Sequence, residues 1–334
     1  MLDNYLKLSR TLNLNLQSTP DGLSIIGPHD TKGRKSADIQ TRSNVYLLTE
    51  ESKAVLIDSG LGNEFYEKLK KIIRKLDVDL KFIVLTHFHY DHIGAAQDLA
   101  DDFDAAILAH EKDLPYIENP LSILSYGIRK EDLKDRRREL NRINTITEDE
   151  IKKLYPTNLT VDESLRGGEE LDLGNKKLMV LSTPGHTPGS ISLYVDETSS
   201  LYVSDLDYCV NPALPPDLGN SKLLKSSLRK VIQLDASFLG SGHLYNLYGT
   251  KMIKDYLKKT LNTQLELTKN ISELLARKSS PLTLKEIVNH LYPVTPRFAY
   301  EPILSFSVLC HLHELTRESR VEKSKGAPIT WRLP

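Results

Sequence analysis

A layered α/β fold is predicted by three features of the sequence: short apolar runs of strand length, intervening segments with helical spacing, and a histidine-rich turn directly after one strand. Alternation of strand and helix places helices on the faces of a sheet. The 334 residues suffice for one large domain, or one large and one small. With 40% hydrophobic and 27% charged residues, the composition is that of a globular protein rather than a disordered or fibrous one.

Each element has its own warrant. Asn44 to Leu48 and Ala54 to Ile57, separated by a polar stretch, read as a β-hairpin running into Asp58-Ser59-Gly60. From Asn63 to Leu76, apolar residues at 65, 66, 69, 72, 73 and 76 recur at helical spacing. Lys81 to Leu85 is a strand, followed by the histidine-rich loop and a short helix beginning near Gly94. Ala105 to Leu108 is another strand-like run. Between Glu111 and Val161 the chain turns charged and helix-favouring, including Lys134 to Glu139; this reads as a solvated helical surface or as a lid over a site. Glu169 to Val195 and Leu201 to Asp205 return to strands, punctuated by Gly174-Asn175 and Glu197-Thr198. Leu223 to Leu234 is helical, as is Thr250 to Ala276.

The end of the chain reads as a separate module. Thr283 and Glu286 have the spacing of a capping box at the start of a helix. Pro302 to Leu315 forms a second helix, and Arg320-Val321 with Thr330 to Leu333 forms a small two-stranded wing. Helix, helix, wing suggests a winged-helix-like domain. The expected division is therefore 1–250, carrying the helical insertion at about 111–161, and 251–334 for the helical linker and the small domain.

A net charge of −1 removes the simplest argument for a chain that lives on nucleic acid or an anionic membrane. Cys209 and Cys310 lack a Cys-x-x-Cys partner and read as reduced, buried thiols. The first twenty residues contain no apolar stretch of signal-peptide length, and no run approaches the roughly 20 residues of a membrane helix. A cytoplasmic protein with no membrane association is expected.

The chemistry is concentrated in Thr86-His87-Phe88-His89-Tyr90-Asp91-His92. Packing does not explain three imidazoles and a carboxylate in six residues, because each buried polar group would need its own partner. On a turn at a strand end, His87 and His89 can point one way while Asp91 and His92 point another. Such donors suit zinc, iron, manganese or nickel better than calcium or magnesium. His186, Asp205 and His243 also follow strand-like runs, where α/β folds place their sites. His110 and His29 read as ordinary polar residues, and His311 and His313, two apart on a helix, do not share a face. Tyr90 and Tyr208 lie beside ligand candidates and are weighed as donors to a developing oxyanion.

In this order, Asp58-Ser59-Gly60, the His-x-His-x-Asp-His run, His186, Asp205 and His243 resemble the metallo-β-lactamase-fold superfamily over residues 40–245. The resemblance implies a four-layer αβ/βα sandwich with metals at one edge of the paired sheets. It implies His87, His89 and His186 on one ion, Asp91, His92 and His243 on a second, and Asp205 bridging them. Asp58 would orient a ligand imidazole. The implied cofactors are two divalent ions, zinc first, with iron or manganese as alternatives.

The implied activity is hydrolysis of an ester, thioester or phosphodiester by a hydroxide bridging the ions, with Asp91 as the catalytic proton shuttle. The expected substrate is a small ester or thioester, or single-stranded RNA in the endoribonuclease-like branch with a C-terminal winged-helix-like extension. A persulfide dioxygenase using a single iron is the alternative from another reaction class. A DNA-binding role is disfavoured, since Pro302 to Leu315 contains no Lys or Arg. A homodimer is among the expected assemblies.

Overall fold

Two sheets face each other across an apolar interior, each covered by helices on its outer face. The computed structural model describes residues 16–25, 43–123, 148–207, 219–293, 301–325 and 328–334. His29, Lys134 to Glu139, Tyr208 and Cys209 lie outside the described residues.

The first sheet starts with a hairpin, β1 (Leu16–Thr19) and β2 (Gly22–Ile25), and continues antiparallel through β3 (Val45–Glu50) and β4 (Lys53–Ile57). It then runs parallel through β5 (Asp79–Leu85), β6 (Ala106–His110) and β7 (Glu163–Leu165). The parallel crossovers use α1 (Gly62–Leu76), then α2 (Tyr90–Ile93) with α3 (Ala96–Phe103), then the segment holding α4 (Leu114–Ile117) and α5 (Glu148–Leu154). Asp77, in left-handed conformation, ends α1 by donating its N–H to the carbonyls of Ile73 and Arg74. The second sheet has the order β13-β12-β11-β10-β9-β8, from β8 (Glu170–Asp172), β9 (Lys177–Ser182), β10 (Ile191–Val195), β11 (Ser200–Ser204), β12 (Phe238–Ser241) and β13 (Leu247–Tyr248).

The strand period of two sorts the apolar residues between layers. Val45, Leu47, Ala54 and Leu56 face the helices α1 and α3, while Tyr46, Leu48, Val55 and Ile57 face the second sheet. From that sheet Leu178, Val180, Leu193 and Phe238 point inward, and Leu181, Tyr194, Leu201 and Leu239 point outward to α6 (Ser221–Ile232) and α7 (Thr250–Ala276). The result is the predicted four-layer sandwich. Strands buried on both faces explain why the sequence shows continuous apolar runs rather than alternation.

The last segment comprises β14 (Leu282–Thr283), α8 (Leu284–Leu291), α9 (Glu301–Arg317), β15 (Glu322–Lys323) and β16 (Thr330–Arg332). The capping box at Thr283 and Glu286 is formed in both directions. The small terminal sheet differs from the two-stranded ribbon expected there. It has three strands in the order β14-β16-β15, because Leu282 pairs with Trp331 and extends the two-stranded ribbon. The N-terminal hairpin was likewise not anticipated: Leu16 to Ile25 is too polar to show as a strand pair by itself. No helix among the described residues is long and apolar enough to cross a membrane.

A buried polar network joins α6, α7 and α9. Lys225 donates to both Glu314 oxygens at 2.8 Å and to Thr268 Oγ1 at 2.9 Å. Ser221 Oγ donates to Glu314, and His311 lies 2.8 Å from Thr268 Oγ1 and 3.1 Å from Gln264 Oε1. Burial, aided by the Lys225 ammonium, pushes the His311 imidazole down from 6.5 to about 3. Between those two values the unfolded chain holds a proton that the folded one lacks, so stability falls as pH drops through that window. The expected slope is at most about 1.4 kcal/mol per pH unit. Urea unfolding at about pH 4.5 and 7.5 should show this loss, and it should shrink in His311→Gln.

Candidate metal centre

Five chain segments end at one edge of the paired sheets, and each delivers polar side chains there. β4 ends at Ile57, and Asp58 follows with φ 60°, a left-handed conformation uncommon for a residue with a side chain. β5 ends at Leu85 and passes into the histidine turn, whose last residues form α2. His186 lies in the loop between β9 and β10, Asp205 follows β11, and His243 follows β12.

The donor atoms form two groups, His87, His89, His186 and Asp205 in one and Asp91, His92 and His243 in the other. Within each group the donor atoms lie within 4.8 Å of one another. His89 Nδ1 is 2.9 Å from both His87 Nε2 and His186 Nε2. His92 Nε2 and His243 Nε2 are 3.3 Å apart, with Asp91 Oδ2 at 3.5 Å from the latter. Asp205 faces both groups: Oδ2 is 3.3 Å from His186 Nε2 and 3.3 Å from His243 Nε2, and Oδ1 is 3.5 Å from His92 Nε2. Sequence separations of up to 156 residues, from His87 to His243, are closed here by the sheet topology alone.

The arrangement fits metal ions. Asp205 Oδ1 is buried without a hydrogen-bond partner among the described residues. Gly242 admits it, since a Cβ there would collide with that oxygen. Asp58 Oδ2 lies 2.7 Å from His92 Nδ1 and also accepts from Thr86 Oγ1, while Oδ1 accepts the Thr86 amide. This fixes the imidazole with Nδ1 protonated and Nε2 turned to the centre. Burial, then the neighbouring imidazoles of His92 and His89, drive His87 well below its usual value. Burial alone would lower His92, but Asp58, Asp205 and Asp91 push it up to about 10. Burial would raise Asp205, yet His243 and His92 hold it well below the usual carboxylate range. His87 is held neutral and free to ligate, while the carboxylates around His92 make the centre favour positive charge, which a divalent cation would supply in place of the His92 proton. Asp58→Ala should lower metal affinity by about 10–100-fold, measured by competition with a chromophoric chelator.

His110 is buried at the end of β6, where its Nδ1 accepts the Lys112 amide. The Tyr90 ring packs edge-on to Tyr155 at 5.5 Å, and burial pushes its hydroxyl up to about 12. Sequence reasoning missed three supports. Ser43 Oγ donates to the Asp91 carbonyl, and the Asn44 side chain donates to the carbonyls of Ser241 and Leu244, beside His243. Asp113, also missed, contacts both histidine loops.

Fold and donor set together define a metallohydrolase of the class that builds its centre at the edge of two packed sheets. Residues 39–243 match the family model of the metallo-beta-lactamase superfamily, and the chain belongs to that family. It is 27% identical over 235 residues to a metallo-beta-lactamase fold-containing protein of Sulfurisphaera tokodaii, covering 66% of this chain and 80% of that one. A hydroxyacylglutathione hydrolase of Haemophilus influenzae is 31% identical over 162 residues, 48% of this chain and 64% of that one. Among solved structures, a metallo-beta-lactamase family protein from Thermus thermophilus superposes with a TM-score of 0.66 at 22% identity, covering 87% of this chain and 94% of its own.

Proposed function

We propose that the chain is a dinuclear metallohydrolase acting on a small thioester or ester. The observation that carries this reading is the convergence of seven donors on two adjacent points, His87, His89 and His186 at one, Asp91, His92 and His243 at the other, and Asp205 between. A single iron would leave half of this set idle, which favours two ions over the persulfide dioxygenase alternative. Imidazole and carboxylate donors suit zinc, with iron or manganese next. The thioester reading is supported by the similarity to the hydroxyacylglutathione hydrolase.

Divalent ions at these donors would lower the pKa of a coordinated water towards neutrality and polarise a substrate carbonyl oxygen. The chain's own residues do the rest. Asp58 holds the His92 ring, Asp205 ties the two points together, and Asp91 passes a proton to the leaving group. We assign residues 1–250 to the catalytic unit and 251–334 to a linker helix and a winged-helix-like unit. That module is what favours single-stranded RNA as a second reading, although Arg317 is the one Arg or Lys in α9.

Metal-loaded protein offered an acylglutathione thioester and, separately, a labelled single-stranded RNA tests the choice. Turnover of the thioester, abolished in Asp91→Ala, is expected. RNA cleavage with the thioester untouched would reverse the order of the two readings.

A further inference from the structure

Asp113 stands immediately before α4, a position where an aspartate ordinarily accepts the first free amides of the helix. Its side chain makes no such cap. The fully buried carboxylate instead turns towards the metal centre's two loops. Oδ2 accepts the Phe88 amide at 3.2 Å and the Thr187 hydroxyl at 2.7 Å, and Oδ1 accepts the Gly189 amide at 2.7 Å. Phe88 sits between His87 and His89, and Thr187 follows His186. One carboxylate thus joins the two segments that supply the three imidazoles of the first group.

The packing leaves little slack. A Cβ on Gly189 would lie 2.6 Å from the Asp113 carboxyl carbon, so the loop after His186 is seated directly on this side chain. Thr187 is further fixed by Ser190, whose Oγ accepts the Thr187 amide at 2.9 Å. The Asp113 amide donates to the His110 carbonyl, anchoring the residue to the end of β6. A rigid strand end therefore sets the separation of the two histidine loops through one buried group.

We propose that Asp113 is a positioning residue, fixing His87 and His89 against His186 so that the three nitrogens converge on one ion. The proposal rests on the reading of these imidazoles as ligands. It touches neither substrate nor metal, and its effect should appear in the ligand field rather than in folding alone. An amide in place of the carboxylate turns an NH₂ towards one of three donors, which spreads the loops without emptying the site.

The test uses the full chain loaded with cobalt(II), reading the visible spectrum and the affinity by chelator competition. For Asp113→Asn, a shifted spectrum and about 10–100-fold weaker binding of the first ion are expected, with far-UV circular dichroism unchanged. Thr187→Val, which removes one of the three donors, should move both readouts in the same direction by less, and it decides the matter if Asp113→Asn does not fold. Parental spectrum and affinity in the folded variants would overturn the positioning role while leaving the metal centre intact. Failure of the parent itself to bind cobalt would overturn the ligand reading and this proposal with it.

Discussion

Asp205→Ala is expected to abolish turnover and to release metal from both points of the centre. Its carboxylate faces donors of both sets, at 3.3 Å from His186 and 3.3 Å from His243. Removing it leaves the first group with imidazoles alone and the second with Asp91 as its remaining carboxylate donor, so the negative charge that favours cations between the two points is lost. The contrast with Asp58→Ala is instructive. That residue acts on His92 through a hydrogen bond, so its loss should weaken binding without eliminating it. Metal content after gel filtration and activity on the same preparations separate the two outcomes. Full activity in Asp205→Ala would remove this residue from the centre.

The second large effect is expected at a buried ion pair outside the donor set. Lys225 and Glu314, 5% and 6% exposed, form a buried pair between α6 and α9. Lys225→Ala leaves the Glu314 carboxylate buried without its cation, at a cost of about 3–5 kcal/mol. Replacing both, as Lys225→Met with Glu314→Leu, should recover most of the loss, because it removes the orphaned charge along with its partner. Urea denaturation of the two variants checks this, and equal destabilisation in both would contradict it. The loss should also reach the metal centre. α6 lies against the His186 loop, where the Asn220 amide donates to the Gly185 carbonyl and Ser227 Oγ to the Pro184 carbonyl. The pair thus secures the C-terminal module to the helix that backs one of the candidate ligands.

Most of the catalytic scaffold was legible because its signals are local. Strands such as Val45–Glu50 and Lys53–Ile57 show as apolar runs, and α1 shows as apolar residues three and four apart. The histidine turn is a cluster within six residues, which no packing argument explains. What escaped is non-local. Nothing adjacent in the chain marks Asp113, whose partners lie 25, 74 and 76 residues away. Asn44 reads as the first residue of a strand and Ser43 carries no signal, yet they tie the Asp91 and His243 segments together. β14 is two residues long and acquires its identity only by pairing with β16. A hydrogen bond that crosses the fold leaves no periodicity in the chain, so it is seen only once the chain is folded.

Two metal ions on seven side chains are tested most directly by elemental analysis of the purified protein beside His87→Ala and His243→Ala. About two divalent ions per chain are expected in the parent, with preferential loss at one point in each variant. A single iron per chain, unaffected by His243→Ala, would contradict this.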